Sequence, residues 1–210
     1  MRRLSKAEPP VALRDNWGMW TDEYQASLAG RDAPTAPWRH PEVVAALAEE
    51  THGKCAYCEG IISDVSYPHV EHILPKSLRP DLVVKWENLT LGCAVCNTNK
   101  GAYYDPGAPL IHPYNDDPLS HIAISGPAIM AQLGDDKGAR TILRLKLMRS
   151  PLMIERMRRI QALHLLLDRW TRTKGPDKET LEDAVREELA DDKEFAQSLR
   201  AYAESMGFPV

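Results

Sequence analysis

The chain has 210 residues, of which 43% are hydrophobic and 27% are charged, as in an ordinary globular protein. Its formal net charge of −4 excludes a strongly basic protein that attracts nucleic acid through its overall charge. The absence of any run of about 18 apolar residues argues against a membrane-spanning helix. The basic N-terminus lacks the apolar segment of a signal peptide, so we expect a cytoplasmic protein.

The first half of the chain predicts an arm followed by a compact core. Residues 1–40 are rich in proline and tryptophan, which indicates an irregular N-terminal arm with one short helix. The segment 41–53 begins with Pro41 and ends with Gly53, which is typical of a well-delimited helix. Short strands are expected near residues 61–62 and over 70–74. We therefore divide the chain into the arm, a core over 41–118 and a helical region over 119–210.

The helical region predicts one long helix and two shorter ones. Ser150 followed by Pro151 is typical of a capping residue and a first-turn proline. Apolar residues then recur at helical spacing and predict the core face of this helix: Met153, Ile154, Met157, Ile160, Leu163 and Leu167. Two amphipathic segments, about 176–190 and 191–206, complete the chain. The fold class is α+β and mostly helical.

Charge is distributed unevenly over this helical region. Between residues 140 and 159 seven basic side chains accompany a single acid, Glu155, whereas acidic residues dominate from residue 176 onward. The basic stripe favours an anionic partner and the acidic segment a protein surface, although two solvated helix faces explain the pattern equally well. On the first interpretation, Arg156 and Arg159 are candidate residues for binding nucleic acid.

All four cysteines belong to two Cys-x-x-Cys pairs, Cys55 with Cys58 and Cys93 with Cys96. Two such pairs provide the four thiolates of a tetrahedral zinc site, and a closed site of this kind supports the fold without taking part in chemistry. The alternatives are a redox pair, which lacks its usual βαβ context here, and four independent thiols. We predict a structural Zn²⁺ ion.

The sequence between the pairs resembles the HNH endonuclease family, whose ββα-metal motif carries an acidic or histidine residue followed by histidine, then asparagine, then a final histidine or asparagine. Glu71-His72, Asn88 and Asn97 occupy these positions in order. The resemblance implies phosphodiester hydrolysis, with His72 as the general base and Asn88 fixing the loop that orients it. It also implies that Glu71 and Asn97 bind a catalytic Mg²⁺ or Mn²⁺ ion, for which oxygen ligands are suited.

Several residues near the motif have open roles. Lys100 follows Cys96 by one helical turn and either contacts a phosphate or is a solvated lysine before Gly101. His69 shares a strand face with Glu71, and we expect a structural role for it. Glu59 and Asp64 are expected at the surface.

Three further segments, 1–13, 112–122 and 139–159, resemble the HNH effectors of Septu and retron anti-phage systems, the PtuB-like proteins. This resemblance implies a nuclease effector that cuts DNA, with RNA as the alternative substrate, and a PtuA-like ABC-type ATPase as partner, in a complex that can hold further copies of the chain. His112 departs from the aspartate usual at its position. Rival interpretations are a stand-alone restriction-type HNH nuclease and a zinc-stabilised binding module without activity. The first lacks a recognisable target-reading motif, and the second does not explain the intact nuclease motif.

Overall fold

The structure is a computed structural model that describes residues 1–30, 35–62 and 69–210, so the expectation for Asp64 lies outside the described residues. Seven helices are present in this part of the chain: α1 (Val11–Leu28), α2 (Pro41–Thr51), α3 (Ala94–Lys100), α4 (Asp136–Leu145), α5 (Ser150–Arg172), α6 (Pro176–Glu188) and α7 (Ala196–Ser205). Two antiparallel sheets are formed by β1 (His69–His72) with β2 (Leu89–Gly92) and by β3 (Ile122–Ser125) with β4 (Ala128–Ala131). The predicted mostly helical α+β class is confirmed.

The N-terminal arm contains a longer helix than its sequence predicted. Helix α1 has 18 residues, with Pro10 at its N-cap and no side-chain hydrogen bond to cap it. Its buried face carries Leu13, Thr21 and Tyr24, and an interior glycine, Gly18, interrupts the sequence pattern. Because intrinsic propensity is weak here, packing against the rest of the protein stabilises this helix.

The sheet of β1 and β2 and the short helix α3 form the centre of the molecule. His72 pairs with Leu89 and Glu71 with Thr90 in the antiparallel register. Helix α3 begins after Cys93, whose sulfur accepts a hydrogen bond from the Cys96 backbone, and it ends at Gly101 with a positive φ of 53°. The strand expected at residues 61–62 is wrong, because Ile61 makes only a single bridge to Lys54.

Two hydrophobic clusters account for most of the described core. The larger cluster joins α1, α2, β2, the β3–β4 sheet and α4 through side chains that include Leu13, Val43, Leu89, Ile122 and Leu145. The smaller one lies among the three C-terminal helices, which correspond to the helices predicted there. The division into three segments remains a prediction, and the larger cluster shows that residues from all three pack together.

Helix α5 buries Ile160, Leu163 and Leu167 as its apolar pattern predicted, but its first turns differ from the prediction. Ile154 and Met157 are 51% and 41% exposed, whereas Arg156 is only 1% exposed. The Arg156 guanidinium donates hydrogen bonds to the carbonyl oxygens of Leu147 and Pro127 at 2.9 and 3.3 Å. A guanidinium buried in this way cannot contact a phosphate, so the nucleic-acid role predicted for Arg156 is wrong.

Lys54 and Glu59, on either side of the first cysteine pair, contact the chain at the beginning of α7. The buried Lys54 ammonium donates hydrogen bonds to the carbonyl oxygens of Asp191 and Lys193. Glu59, expected at the surface, is buried instead, and its carboxylate accepts a hydrogen bond from the Gln197 backbone at 3.3 Å. These contacts hold the beginning of α7 against the cysteine-rich core.

Within the described residues, no helix is both long enough and apolar enough to cross a membrane.

We predict that Arg156→Gln lowers the free energy of unfolding by about 1–3 kcal/mol, because two buried carbonyl groups lose a charged donor. Urea denaturation followed by circular dichroism measures this change. Arg158→Gln is the matched control on the same helix: its side chain is 67% exposed, and we expect a change within about 0.5 kcal/mol. Equal losses in the two variants would contradict the structural role of Arg156.

Candidate metal centre and active site

The four cysteines converge on one point, as predicted. Their sulfur atoms all lie within 4.8 Å of one another, all four side chains are buried and none forms a disulfide. The sulfurs of Cys58 and Cys93 are 3.9 Å apart, close to the separation of about 3.8 Å that a tetrahedral site with Zn–S bonds of about 2.3 Å requires. The donor set and its geometry therefore fit a structural zinc ion.

Arg149 lies against this cluster from the beginning of α5. Its guanidinium contacts the sulfurs of Cys96, Cys58 and Cys93 at 3.7, 3.8 and 3.9 Å. Burial by itself lowers the pKa of Arg149, but the facing sulfurs outweigh this effect and raise it. A cation in this position offsets the negative charge that four thiolates retain around a divalent ion, and it orients the sulfurs from outside.

Glu71 and Asn97 meet across Gly92, at the junction of the sheet and α3. A side-chain carbon added at Gly92 would lie 3.4 Å from Cβ of Glu71 and 3.9 Å from Cβ of Asn97. Glycine at this position therefore leaves room between the two oxygen-bearing side chains. They open onto a pocket of about 310 Å³, here called the groove, which is lined by Glu71, His72, Lys76, Ser77, Asn97, Thr98 and neighbouring residues.

Glu71 is buried and faces Lys100. Its Oε1 lies 2.6 Å from the Lys100 ammonium but makes no well-aligned hydrogen bond among the described residues. Burial raises the pKa of Glu71, and the nearby Lys100 acts in the opposite direction. A buried carboxylate with a poorly aligned oxygen, beside an amide oxygen, fits a hard divalent cation that keeps part of its water shell.

Lys100 differs from one of the two roles considered for it. It is 3% exposed, so it is not a solvated lysine, and its ammonium also donates a 2.8 Å hydrogen bond to the His72 carbonyl. The ammonium is therefore held beside Glu71 beneath the groove, and a direct phosphate contact through Lys100 remains only a prediction.

His72 has one ring nitrogen fixed by the backbone. Its Nε2 lies 2.8 Å from the Val83 carbonyl oxygen, which can only accept, so Nε2 carries the hydrogen and Nδ1 retains the lone pair. Burial lowers the pKa of His72 to about 4, despite the opposing effect of the Val83 hydrogen bond. The imidazole is thus neutral at pH 7 and able to accept a proton.

Asn88 holds the loop that supplies this carbonyl. Its side-chain oxygen accepts a 2.7 Å hydrogen bond from the Leu74 backbone, and its Nδ2 donates to the carbonyl oxygens of Leu74 and Leu82 at 3.1 and 3.0 Å. Leu82 immediately precedes Val83 in the chain. Asn88 and His72 therefore hydrogen-bond to adjacent carbonyl groups of the same loop. Asn88 is buried away from the groove and acts as a positioning residue.

The sequence reasoning missed two residues next to His72. Trp38 packs edge-to-face on the His72 ring with centroids 5.0 Å apart, and the Lys76 ammonium lies 5.5 Å from the Trp38 ring centroid. Lys76 lines the groove and has no ion-pair partner among the described residues. In the sequence, a lysine four positions after His72, next to Pro75, could have indicated a positive charge beside the base.

His69, for which we expect a structural role, and Arg159, a candidate for binding nucleic acid, lie outside the groove. His69 is exposed and is not part of the groove wall. Arg159 forms an ion pair of 2.8 Å with Glu188 of α6, so any phosphate must compete with this carboxylate.

Comparison with known families agrees with this geometry. The HNH endonuclease family model matches residues 55–102, which contain both cysteine pairs, Glu71-His72, Asn88 and Asn97. Residues 55–102 form an HNH domain. In this HNH domain β1, β2 and α3 are the two strands and the helix of the ββα-metal motif.

Two curated relatives extend the similarity beyond the HNH domain. The chain is 39% identical over 106 residues to a Septu protein PtuB of Bacillus thuringiensis, a match that covers 50% of this chain and 40% of the relative. It is 29% identical over 154 residues to a Septu protein PtuB of Bacillus mycoides (strain KBAB4), covering 59% of this chain and 52% of the relative. The matched part thus spans about half the length of these relatives.

We predict that the purified protein contains about one zinc ion per chain and that Cys96→Ser loses both the metal and the fold of the HNH domain, because zinc binding contributes directly to folding. Metal analysis and thermal unfolding measure the two effects. Thr98→Ser, an exposed change on the same helix, is the control and should retain both. Well-folded protein without zinc would contradict a structural metal.

Proposed function

We propose that the protein is a metal-dependent endonuclease that hydrolyses the phosphodiesters of DNA. The observation that carries this proposal is the convergence of Glu71, His72 and Asn97 on one polar groove, where no described residue hydrogen-bonds to the proton-accepting nitrogen of His72. The HNH domain match supports the same reaction.

Two oxygen-bearing residues would hold the catalytic cation. The Glu71 carboxylate and the Asn97 amide oxygen fit Mg²⁺ or Mn²⁺, and the ion when bound would neutralise charge at the phosphate and at the leaving oxygen. Lys76, which forms no ion pair with any of the described residues, would attract the phosphodiester and hold its charge beside the base.

His72 would accept the proton of the attacking water. A backbone carbonyl at Nε2 orients the ring and selects the tautomer, while Trp38 restricts its rotation. Because the imidazole is already neutral and buried, no proton has to leave it before it acts as a base. Asn88 would serve this step indirectly, by keeping the loop with Val83 in place.

We further propose that this nuclease is the effector of an anti-phage system of the Septu type, with a PtuA-like ABC-type ATPase as its partner. Similarity to two proteins named Septu protein PtuB supports this assignment. The acidic face of α6, which includes Asp183 and Glu187, is the surface we propose for a protein contact.

Plasmid cleavage tests the activity, with and without Mg²⁺ and with and without the proposed PtuA-like ATPase. Metal-dependent cleavage of DNA, in either the absence or the presence of the ATPase, is expected. RNA of similar length distinguishes the substrate class. Cleavage at an equal rate in the parent protein, His72→Ala and His69→Ala would point to a contaminating nuclease.

We predict that His72→Ala lowers the cleavage rate by about 10²–10⁴-fold, the usual contribution of a general base, while zinc content and DNA affinity stay unchanged. Single-turnover kinetics and fluorescence anisotropy measure the two effects. His69→Ala is the matched control, since this exposed histidine lies outside the groove. A fully active His72→Ala with an inactive His69→Ala would mean that the base is His69.

We predict that Lys76→Gln weakens DNA binding and lowers the slope of log affinity against log salt concentration by about 1, because one phosphate contact is lost. Anisotropy titrations over a range of salt concentrations measure this slope. Lys174→Gln removes an exposed positive charge beyond the end of α5 and outside the basic stripe, and it is the control. Equal changes in both variants would indicate a general charge effect.

A further inference from the structure

A second cavity is lined by Lys100, whose ion-pair partner Glu71 lines the groove. It has a volume of about 270 Å³ and is here called the tyrosine cleft. Its lining includes Tyr57, Ile73, Lys100, Tyr103, Tyr104 and Lys137. Prolines and aliphatic side chains from residues 106–113 complete a wall that is largely apolar.

The same two short segments of the chain contribute residues to both the tyrosine cleft and the groove. Residues 71, 72 and 75 line the groove, while residues 73 and 74 between them line the cleft. Likewise, residues 101 and 102 line the groove, and residues 100, 103 and 104 line the cleft. A strand whose phosphate lies beside Glu71 and Asn97 is therefore separated from the cleft only by these two short segments.

One aromatic wall of the cleft is rigid. The Tyr103 hydroxyl donates a 2.7 Å hydrogen bond to the Ala108 carbonyl, and the Arg144 guanidinium lies 5.0 Å from the Tyr103 ring centroid without being part of the cleft wall. Tyr104 beside it is 41% exposed. Because the Tyr103 ring is already held in place, stacking a ligand on it would cost little conformational entropy.

The charges of the cleft favour a neutral occupant over a phosphate. Asp116 at its edge is paired with Lys137 at 2.6 Å and accepts a 2.6 Å hydrogen bond from the His112 backbone. Asp105 adds a further exposed acid. The edge thus offers both donors and acceptors without an excess of positive charge.

A buried polar atom in the cleft lining has no partner. The Tyr57 hydroxyl makes no hydrogen bond to any of the described residues and is fully buried. Leaving a buried hydroxyl unpaired is costly, but because this oxygen is not exposed, a ligand in the cleft would reach it only after a movement of the lining.

We propose that the tyrosine cleft binds one unpaired nucleobase of the substrate strand, next to the phosphodiester held in the groove. A flat ring with apolar faces and a polar edge matches stacking walls with donors and acceptors at the rim. This inference rests on the proposed nuclease function and narrows its substrate: a base inside a duplex must leave its stack to enter the cleft. The preferred substrate is therefore single-stranded or locally unpaired DNA.

Photocrosslinking tests this inference in the full-length His72→Ala protein, which should bind the strand without cutting it. A single-stranded oligonucleotide carries 5-iodouracil at one position at a time, and mass spectrometry identifies the crosslinked peptide. We expect crosslinks to Tyr103 or Tyr104. Tyr104→Leu should lower the affinity about tenfold, a typical loss for one stacked base, whereas Tyr104→Phe should retain it. Trp17→Leu replaces an exposed aromatic residue outside the cleft and is the control.

Two negative results have different meanings. Normal strand binding with crosslinks only outside the cleft, or an equal loss in Tyr104→Leu and Trp17→Leu, would overturn the base-binding cleft and leave the nuclease proposal standing. Absence of any DNA binding by the Mg²⁺-loaded protein would contradict the proposed function, and the cleft proposal with it.

Discussion

The meeting of four cysteine sulfurs at one point is the constraint on which the rest of the structure depends. Residues 55–58 and 93–96 are far apart in sequence, and bringing them together closes a long loop at a considerable entropic cost. A tetrahedral metal site offsets that cost with binding free energy. The closed loop contains β1 and β2, and α3 begins at Cys93, so the same constraint brings Glu71 beside Asn97.

Segments outside the HNH domain complete the site. Trp38 comes from the region before α2, yet its ring packs on His72, and Tyr24 of α1 packs in turn on Trp38 with centroids 5.4 Å apart. On the opposite side Arg149 connects the beginning of α5 with the cysteine cluster. The orientation of the base and the charge of the metal centre therefore depend on the chain on both sides of the motif.

The sequence predicted the features that depend on short-range spacing and missed those that depend on distant contacts. The cysteine pairs, α2 and Glu71-His72 were recognisable because residue type and spacing carry the chemistry directly. The burial of Arg156 was not, since a charge pattern does not say which face of a helix the neighbouring carbonyl groups will cover. Trp38 and Lys76 were missed because their neighbours at the site are fixed by tertiary packing.

Lys100 links the electrostatics of two ligands that would occupy the groove. Its ammonium already balances the buried Glu71 carboxylate and Lys76 adds a further positive charge, so a divalent cation would add positive charge to a site without excess negative charge. A polyanionic strand would supply the compensating negative charge. Cation and strand would therefore bind with positive heterotropic cooperativity, each raising the affinity for the other by the same factor. Without a bound strand, such a groove would bind the catalytic cation only weakly.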